Sequence, residues 1–277
     1  MARSINWISD DNETSMLRMK LGRQMVFKNA SNVAEAAAPS PNADNRRKFN
    51  YAETAPGPGA DNLRDISVLR LALERQAAVC KLNIGPSTGF LIAENILITC
   101  NHVLPNEEIA KWCKATFNLQ LDDKRMPLTP DEYGLDPTSL FVTDPELDIT
   151  IVKTAGKPGE KWGFIQLARV SPKEGNSAII IQHPSRLRYK KIALGDMEIK
   201  HVCDKKIQYL SDTLPGSSGS PIFNDDFSLI GIHRAGDWNP NDNIYFRNEG
   251  VHINAVIDFL ESLKREELSH IVPRPPK

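Results

Sequence analysis

The chain lacks the features that would mark it for a membrane, for export or for a nucleic acid. No apolar run approaches the about 18 residues a membrane-spanning helix requires. Met1 to Lys20 contains Asp10, Asp11 and Glu13 and has no apolar core of the signal-peptide kind. Lys and Arg number 34 against 35 Asp and Glu, so there is no basic excess of the sort a general nucleic-acid binder carries. Cysteine is scarce. Cys80, Cys100, Cys113 and Cys203 form no closely spaced ligand pair, and four in 277 residues are not a disulfide framework. Free thiols fit a reducing interior. His183, which ends an apolar strand, reads as structural, and His201, His252 and His270 have no partners at ligand spacing. The expectation is a soluble, cytoplasmic protein with no metal, no cofactor, no membrane and no nucleic-acid partner.

Residues 1–60 differ from the rest. A weakly periodic stretch, Ser4 to Phe27, precedes Asn29 to Ala60, which is rich in Ala, Pro, Asn and Gly and includes Pro56-Gly57-Pro58-Gly59. Such a segment buries too little apolar surface to offset its ordering entropy, so it reads as an extension and linker. Residues 61–77 read as a helix, with Asp65 as a cap and Ile66, Leu69, Leu71 and Leu73 as an apolar stripe. From Ala78 the chain consists of short apolar runs between turn residues, the pattern of an all-β sandwich or barrel. A terminal helix follows over Val256 to Lys264, with a Pro-rich tail closing residues 266–277.

One stretch, Pro215-Gly216-Ser217-Ser218-Gly219-Ser220-Pro221, places a serine between small residues. Glycine accepts backbone angles closed to other residues, which permits the sharp turn a nucleophile needs and brings backbone N–H groups close to it. Taken alone, the same cluster also fits a surface loop. Two distant stretches bear on the choice. Thr88 to Leu104 reads as strand, turn at Glu94-Asn95, strand, and then His102. Leu147-Asp148-Ile149-Thr150-Ile151-Val152 places an aspartate at the start of an apolar strand. Asp144 competes with Asp148, but it precedes Pro145 and suits a turn. The order His102, Asp148, Ser218 is that of the chymotrypsin arrangement, in which imidazole takes the serine proton and the carboxylate orients the imidazole.

Together with Leu229-Ile230-Gly231-Ile232-His233, these blocks resemble the trypsin-like serine peptidases of the short bacterial kind, over about residues 78 to 262. The resemblance implies two six-stranded antiparallel β-barrels within a domain at 78–265, with His102 and Asp148 in the first barrel and Ser218 in the second. It implies an oxyanion hole from the N–H groups of Gly216 and Ser218. It departs from secreted trypsins at Ser217, which stands where those have an aspartate that pairs with a new N-terminus. Either the loop over Leu214 to Ser217 is ordered already, or something else orders it, such as the N-terminal extension with a regulatory protein partner.

Thr213, five residues before the serine, and His233, fifteen after it, resemble the pair that receives an acidic P1 side chain in bacterial glutamyl endopeptidases. A hydroxyl and an imidazole can donate to a carboxylate. Arg234 adds charge there if it faces inward, although strand alternation points it outward. His233 as a plain strand residue is the competing reading. The function expected is a serine endopeptidase acting on protein or peptide substrates, with the resemblance extending to triggered effectors of bacterial antiviral defence or stress systems. The alternative is a catalytically silent binding or regulatory subunit on the same fold.

Overall fold

The computed structural model describes residues 64–194, 197–239, 244–269 and 271. The chain divides at Gly59/Ala60, and only the second unit, Ala60–Lys277, falls within the described residues. The N-terminal extension therefore lies outside them, as do His270 and the end of the tail.

Two antiparallel sheets of seven strands make the fold, one strand more in each than the family resemblance implied. The first contains β1 (Val79–Leu82), β2 (Ser87–Ala93), β3 (Ile96–Thr99), β4 (Lys114–Phe117), β5 (Asp131–Gly134), β6 (Phe141–Asp144) and β7 (Ile149–Lys153), in the order β5-β4-β1-β2-β3-β7-β6. The second contains β8 (Ile179–Gln182), β9 (Lys191–Ala193), β10 (Ile199–Val202), β11 (Lys206–Tyr209), β12 (Pro221–Phe223), β13 (Leu229–Asn239) and β14 (Ile244–His252), in the order β10-β11-β14-β13-β12-β8-β9. Each sheet curls on itself as a half-barrel. The turn expected at Glu94-Asn95 joins β2 to β3.

β2 and β3 are buried at every position, which explains why their sequences are nearly continuous apolar runs instead of alternating ones. Phe90, Leu97, Ile98 and Ile151 lie in a large apolar cluster that reaches Phe223 and Ile232 of the second sheet. A smaller cluster in the second sheet gathers Ile180, Ile207, Tyr209 and Ile222. Burying each such aliphatic side chain stabilises the fold by about 1.5–3 kcal/mol.

Helix α1 (Val68–Ala77) precedes β1, with Asp65 Oδ1 accepting from the Ser67 N–H at 2.8 Å. Its expected stripe does not dock as a unit. Leu71 packs against the core, while Ile66, Leu69 and Leu73 are exposed. The C-terminal end of α1 is held by Lys190, whose Nζ donates to the Gln76 carbonyl at 2.6 Å. A short helix, α2 (Glu107–Trp112), follows the His102 segment and is capped by Asn106 Oδ1 accepting from the Ile109 N–H at 2.9 Å. Helix α3 (Pro158–Trp162) lies between the sheets in sequence. The terminal helix α4 (Ile253–Leu263) is capped by His252, whose Nδ1 accepts from the Asn254 N–H at 3.0 Å. It buries Val256, Ile257 and Leu260.

Candidate active site

Strand register brings His102 and Asp148 together. Thr99 of β3 pairs with Thr150 of β7, so the residues just after β3 and just before β7 face one another. The chain turns after β3, with the Val103 and Leu104 N–H groups both donating to the Cys100 carbonyl at 3.2 Å. His102 stands on that turn. Asp148 has φ +61°, a left-handed conformation that Asp tolerates better than most residues. Its carboxylate lies 2.8 Å from His102 Nδ1 through Oδ2 and 3.1 Å through Oδ1, and Oδ1 also accepts the His102 backbone N–H at 2.9 Å. The carboxylate is buried and the imidazole half-exposed. With Nδ1–H directed at the carboxylate, Nε2 is left as the basic nitrogen. Asp144 is the turn residue its sequence implied, its Oδ1 accepting from the N–H groups of Glu146 and Leu147.

Ser218 enters from the other sheet and is tied to the first by one buried threonine. The Thr88 N–H donates to the Ser218 carbonyl at 2.9 Å, and Thr88 Oγ1 donates to the Gly216 carbonyl at 2.9 Å while accepting the His183 N–H at 3.0 Å. Beyond the serine, the Gly219 N–H and the Cys100 thiol both donate to the His233 carbonyl, at 2.8 and 3.3 Å. One acceptor thus binds the residue after Ser218 and the residue two before His102. No hydrogen bond joins Ser218 Oγ to His102 among the described residues, a looseness common before substrate binds.

The glycines on either side of the serine are required by shape. Gly216 has φ +107°, and a Cβ there would lie 2.7 Å from the Ser185 nitrogen and 2.8 Å from the His183 carbonyl oxygen. Gly219 has φ +85°, and a Cβ would run into the Thr88 carbonyl and Thr99 Oγ1. The Pro215 carbonyl accepts from the Ser185 N–H at 2.7 Å, which turns the Gly216 N–H of the same peptide to the opposite side. Neither the Gly216 nor the Ser218 N–H donates to another group among the described residues. Two donors are therefore free at the serine.

Ser217 is hydrogen-bonded within the serine loop and to the neighbouring strand. Its buried Oγ donates to the Leu214 carbonyl at 2.7 Å, accepts the Leu214 N–H at 3.2 Å and touches Gln182 Oε1. Gln182 Nε2 is in turn fixed on the Asp212 carbonyl at 2.8 Å. These contacts tie the Leu214–Ser217 loop to β8 through Gln182.

Thr213 and His233 each contact a buried polar side chain that the sequence did not reveal. Thr213 Oγ1 donates to Asn248 Oδ1 at 2.7 Å. His233 is 3% exposed, and its Nδ1 lies 2.6 Å from the hydroxyl of fully buried Tyr209. Burial, reinforced by nearby His102, pushes the His233 imidazole down to about 3, so it is neutral at ordinary pH. Burial also holds the Tyr209 phenol well above its usual range. Among the described residues the Tyr209 hydroxyl has this one partner. A buried hydroxyl proton needs an acceptor, so Tyr209 donates to Nδ1 and the His233 proton sits on Nε2.

Arg234 faces inward, against the strand alternation. Its guanidinium is directed at Asp148 and Glu249 and lies 3.6 Å from each carboxylate. Cys100 Sγ, the His102 imidazole and the Asp148 carboxylate lie within 4.8 Å of one another. Burial, with the Asp148 carboxylate second, keeps the Cys100 thiol well above the ordinary thiol range, and it serves as the donor to the His233 carbonyl. Thr88, Tyr209, Asn248 and Glu249 went unread as site residues. The one available signal was their polarity within apolar strands, since buried polar side chains must find partners.

Residues 87–232 match the trypsin-like peptidase domain. The chain is 34% identical over 198 residues to the uncharacterized protein y4fB of Sinorhizobium fredii, covering 63% of this chain and 30% of that protein. It is 28% identical over 164 residues to exfoliative toxin A of Staphylococcus aureus, covering 52% of this chain and 56% of the toxin. It thus spans about a third of the first relative's length and just over half of the second's. A Glu endopeptidase solved in complex with MPD superposes with a TM-score of 0.53 at 20% identity, covering 68% of this chain and 91% of that one. Deg5 superposes with a TM-score of 0.51 at 18% identity, covering 72% and 95%. At such identities the two structures bear on the fold.

Proposed function

The chain belongs to the trypsin-like peptidase domain family, and on that premise we propose that it is a serine endopeptidase with Ser218 as nucleophile, His102 as base and then acid, and Asp148 orienting it. His102 Nε2 takes the serine proton as Oγ attacks the scissile carbonyl carbon. The oxyanion forms against the N–H groups of Gly216 and Ser218. Imidazolium then protonates the departing amine, and water repeats the sequence to release the acyl group. The observation that carries this reading is the shared His233 carbonyl, which joins the serine loop to the turn bearing His102, itself bound to Asp148. A fluorophosphonate probe tests it. Covalent labelling of the wild type and none of Ser218→Ala is expected; equal labelling of both, or of neither, counts against it.

An acidic P1 preference is supported by the neutral His233. With Nδ1 occupied by Tyr209, its Nε2–H is the donor left for a carboxylate, and Thr213 Oγ1 becomes a second once it turns from Asn248. Peptides differing only at P1 decide this, with cleavage after Glu or Asp expected to exceed cleavage after Lys or Arg. A reducing compartment is supported by the four free thiols. Among the described residues no helix is long and apolar enough to cross a membrane.

A further inference from the structure

β13 carries a bulge where it passes the site. His233 pairs with Gly250 and Ala235 with Glu249, which leaves Arg234 unopposed between them. A bulged residue is re-aimed off the strand's alternation, and this is why Arg234 points inward. Its Nε is 3.6 Å from Asp148 Oδ2 and its Nη1 is 3.6 Å from Glu249 Oε1. Nε and Glu249 Oε1 are both buried, and neither has a hydrogen-bond partner among the described residues. The short contacts of Asp148 go to His102 instead. Glu249, on β14, is 1% exposed and has one other cation paired with it among the described residues, Lys206 at 3.2 Å. Two buried carboxylates therefore share one guanidinium, and only one of them touches His102.

We propose that Arg234 is a positioning residue for the peptidase reaction: anchored by Glu249, it sets how strongly Asp148 stabilises the protonated form of His102. This rests on the triad reading above. The carboxylate favours imidazolium, the guanidinium beside it opposes that, and Glu249 offsets the guanidinium. At a partly buried site a unit charge acts at this range several-fold more strongly than in water. The other groups around the pair are Cys100 after β3, His233 on β13 and Tyr209 on β11, with Lys206 behind Glu249. Burial keeps the first three neutral, and among the described residues Arg234, Glu249 and Lys206 are the charges placed to bias the site.

The test compares full-length wild type with Arg234→Met, Glu249→Gln, their double variant and Arg234→Lys. Two readouts are taken: the acid limb of the kcat/KM pH profile, and the NMR titration midpoint of the His102 imidazole. Arg234→Met is expected to move both up by about one pH unit and Glu249→Gln to move both down. The double variant should return close to wild type, and Arg234→Lys should stay near it. A purely structural role would lower the rate at every pH and leave both midpoints in place. If Arg234→Met alone misfolds with Glu249 left behind, the downward shift in Glu249→Gln and its reversal in the double variant still decide. Midpoints that stay put, or move in the same direction in both single variants, overturn the proposal while a cleaving wild type keeps the triad reading. Opposite midpoint shifts in a wild type that cleaves nothing would uphold the charge balance and sink the peptidase reading.

Discussion

His102 is exposed beyond β3 and holds a carboxylate through Nδ1, whereas His233 is buried in β13 and holds a phenol through its own Nδ1. The same side chain is thereby given two chemistries. A carboxylate at Nδ1 suits the proton-transfer role proposed for His102. A neutral hydroxyl partner and burial exclude the imidazolium, so His233 is a fixed neutral donor. The charge of the partner and access to water decide between the two jobs, and sequence spacing carries neither.

Replacing the partner at the exposed end should break this contrast most severely. Asp148→Asn is expected to lower kcat by about 10⁴-fold, because the amide no longer holds the imidazole in the base tautomer. Steady-state kinetics on a protein with unchanged circular dichroism would measure it, and a loss of less than tenfold would argue that another group orients His102. Next comes the loop between the two imidazoles. Gly216→Ala places a Cβ against Ser185 and His183 and should displace one oxyanion donor, costing about 10²–10³ in kcat with little change in KM.

At the buried end the effect is on choice. Tyr209→Phe frees the His233 tautomer and should reduce the preference for Glu over Gln at P1 by about tenfold, with hydrolysis after Gln little changed. An unaltered ratio would detach Tyr209 from specificity. The smallest effect is on stability. His233 is held down to about 3 in the folded chain, from an ordinary value of 6.5, so the unfolded chain takes up the proton first on acidification. That contribution is complete above about pH 6.5 and is lost progressively toward about pH 3. Thermal melts should therefore show Tm falling over this window, less steeply in His233→Gln; equal slopes would show that other groups dominate. His183, lowered by burial in the same direction, adds to the fall in both proteins.

The residues that must be chemically particular are legible locally. A serine between glycines, a histidine closing a strand and an aspartate opening one need only short motifs, and their order identified the family. The hairpin over β2 and β3, the start of β1 and the terminal helix followed from apolar pattern and turn residues for the same reason. The partnerships did not. Thr88 clamps the serine loop from the opposite sheet, Tyr209 reaches His233 across the intervening β14, and the α1 stripe divides between core and solvent. Arg234 reversed the direction that alternation assigned it, because a bulge depends on how two strands pair and one strand's sequence does not record it. The sequence by itself determined the family, and it nominated the groups proposed to move protons in the order in which they occur. Only the folded chain decided which neighbours set their charge, because burial and cross-strand register arise when distant segments pack.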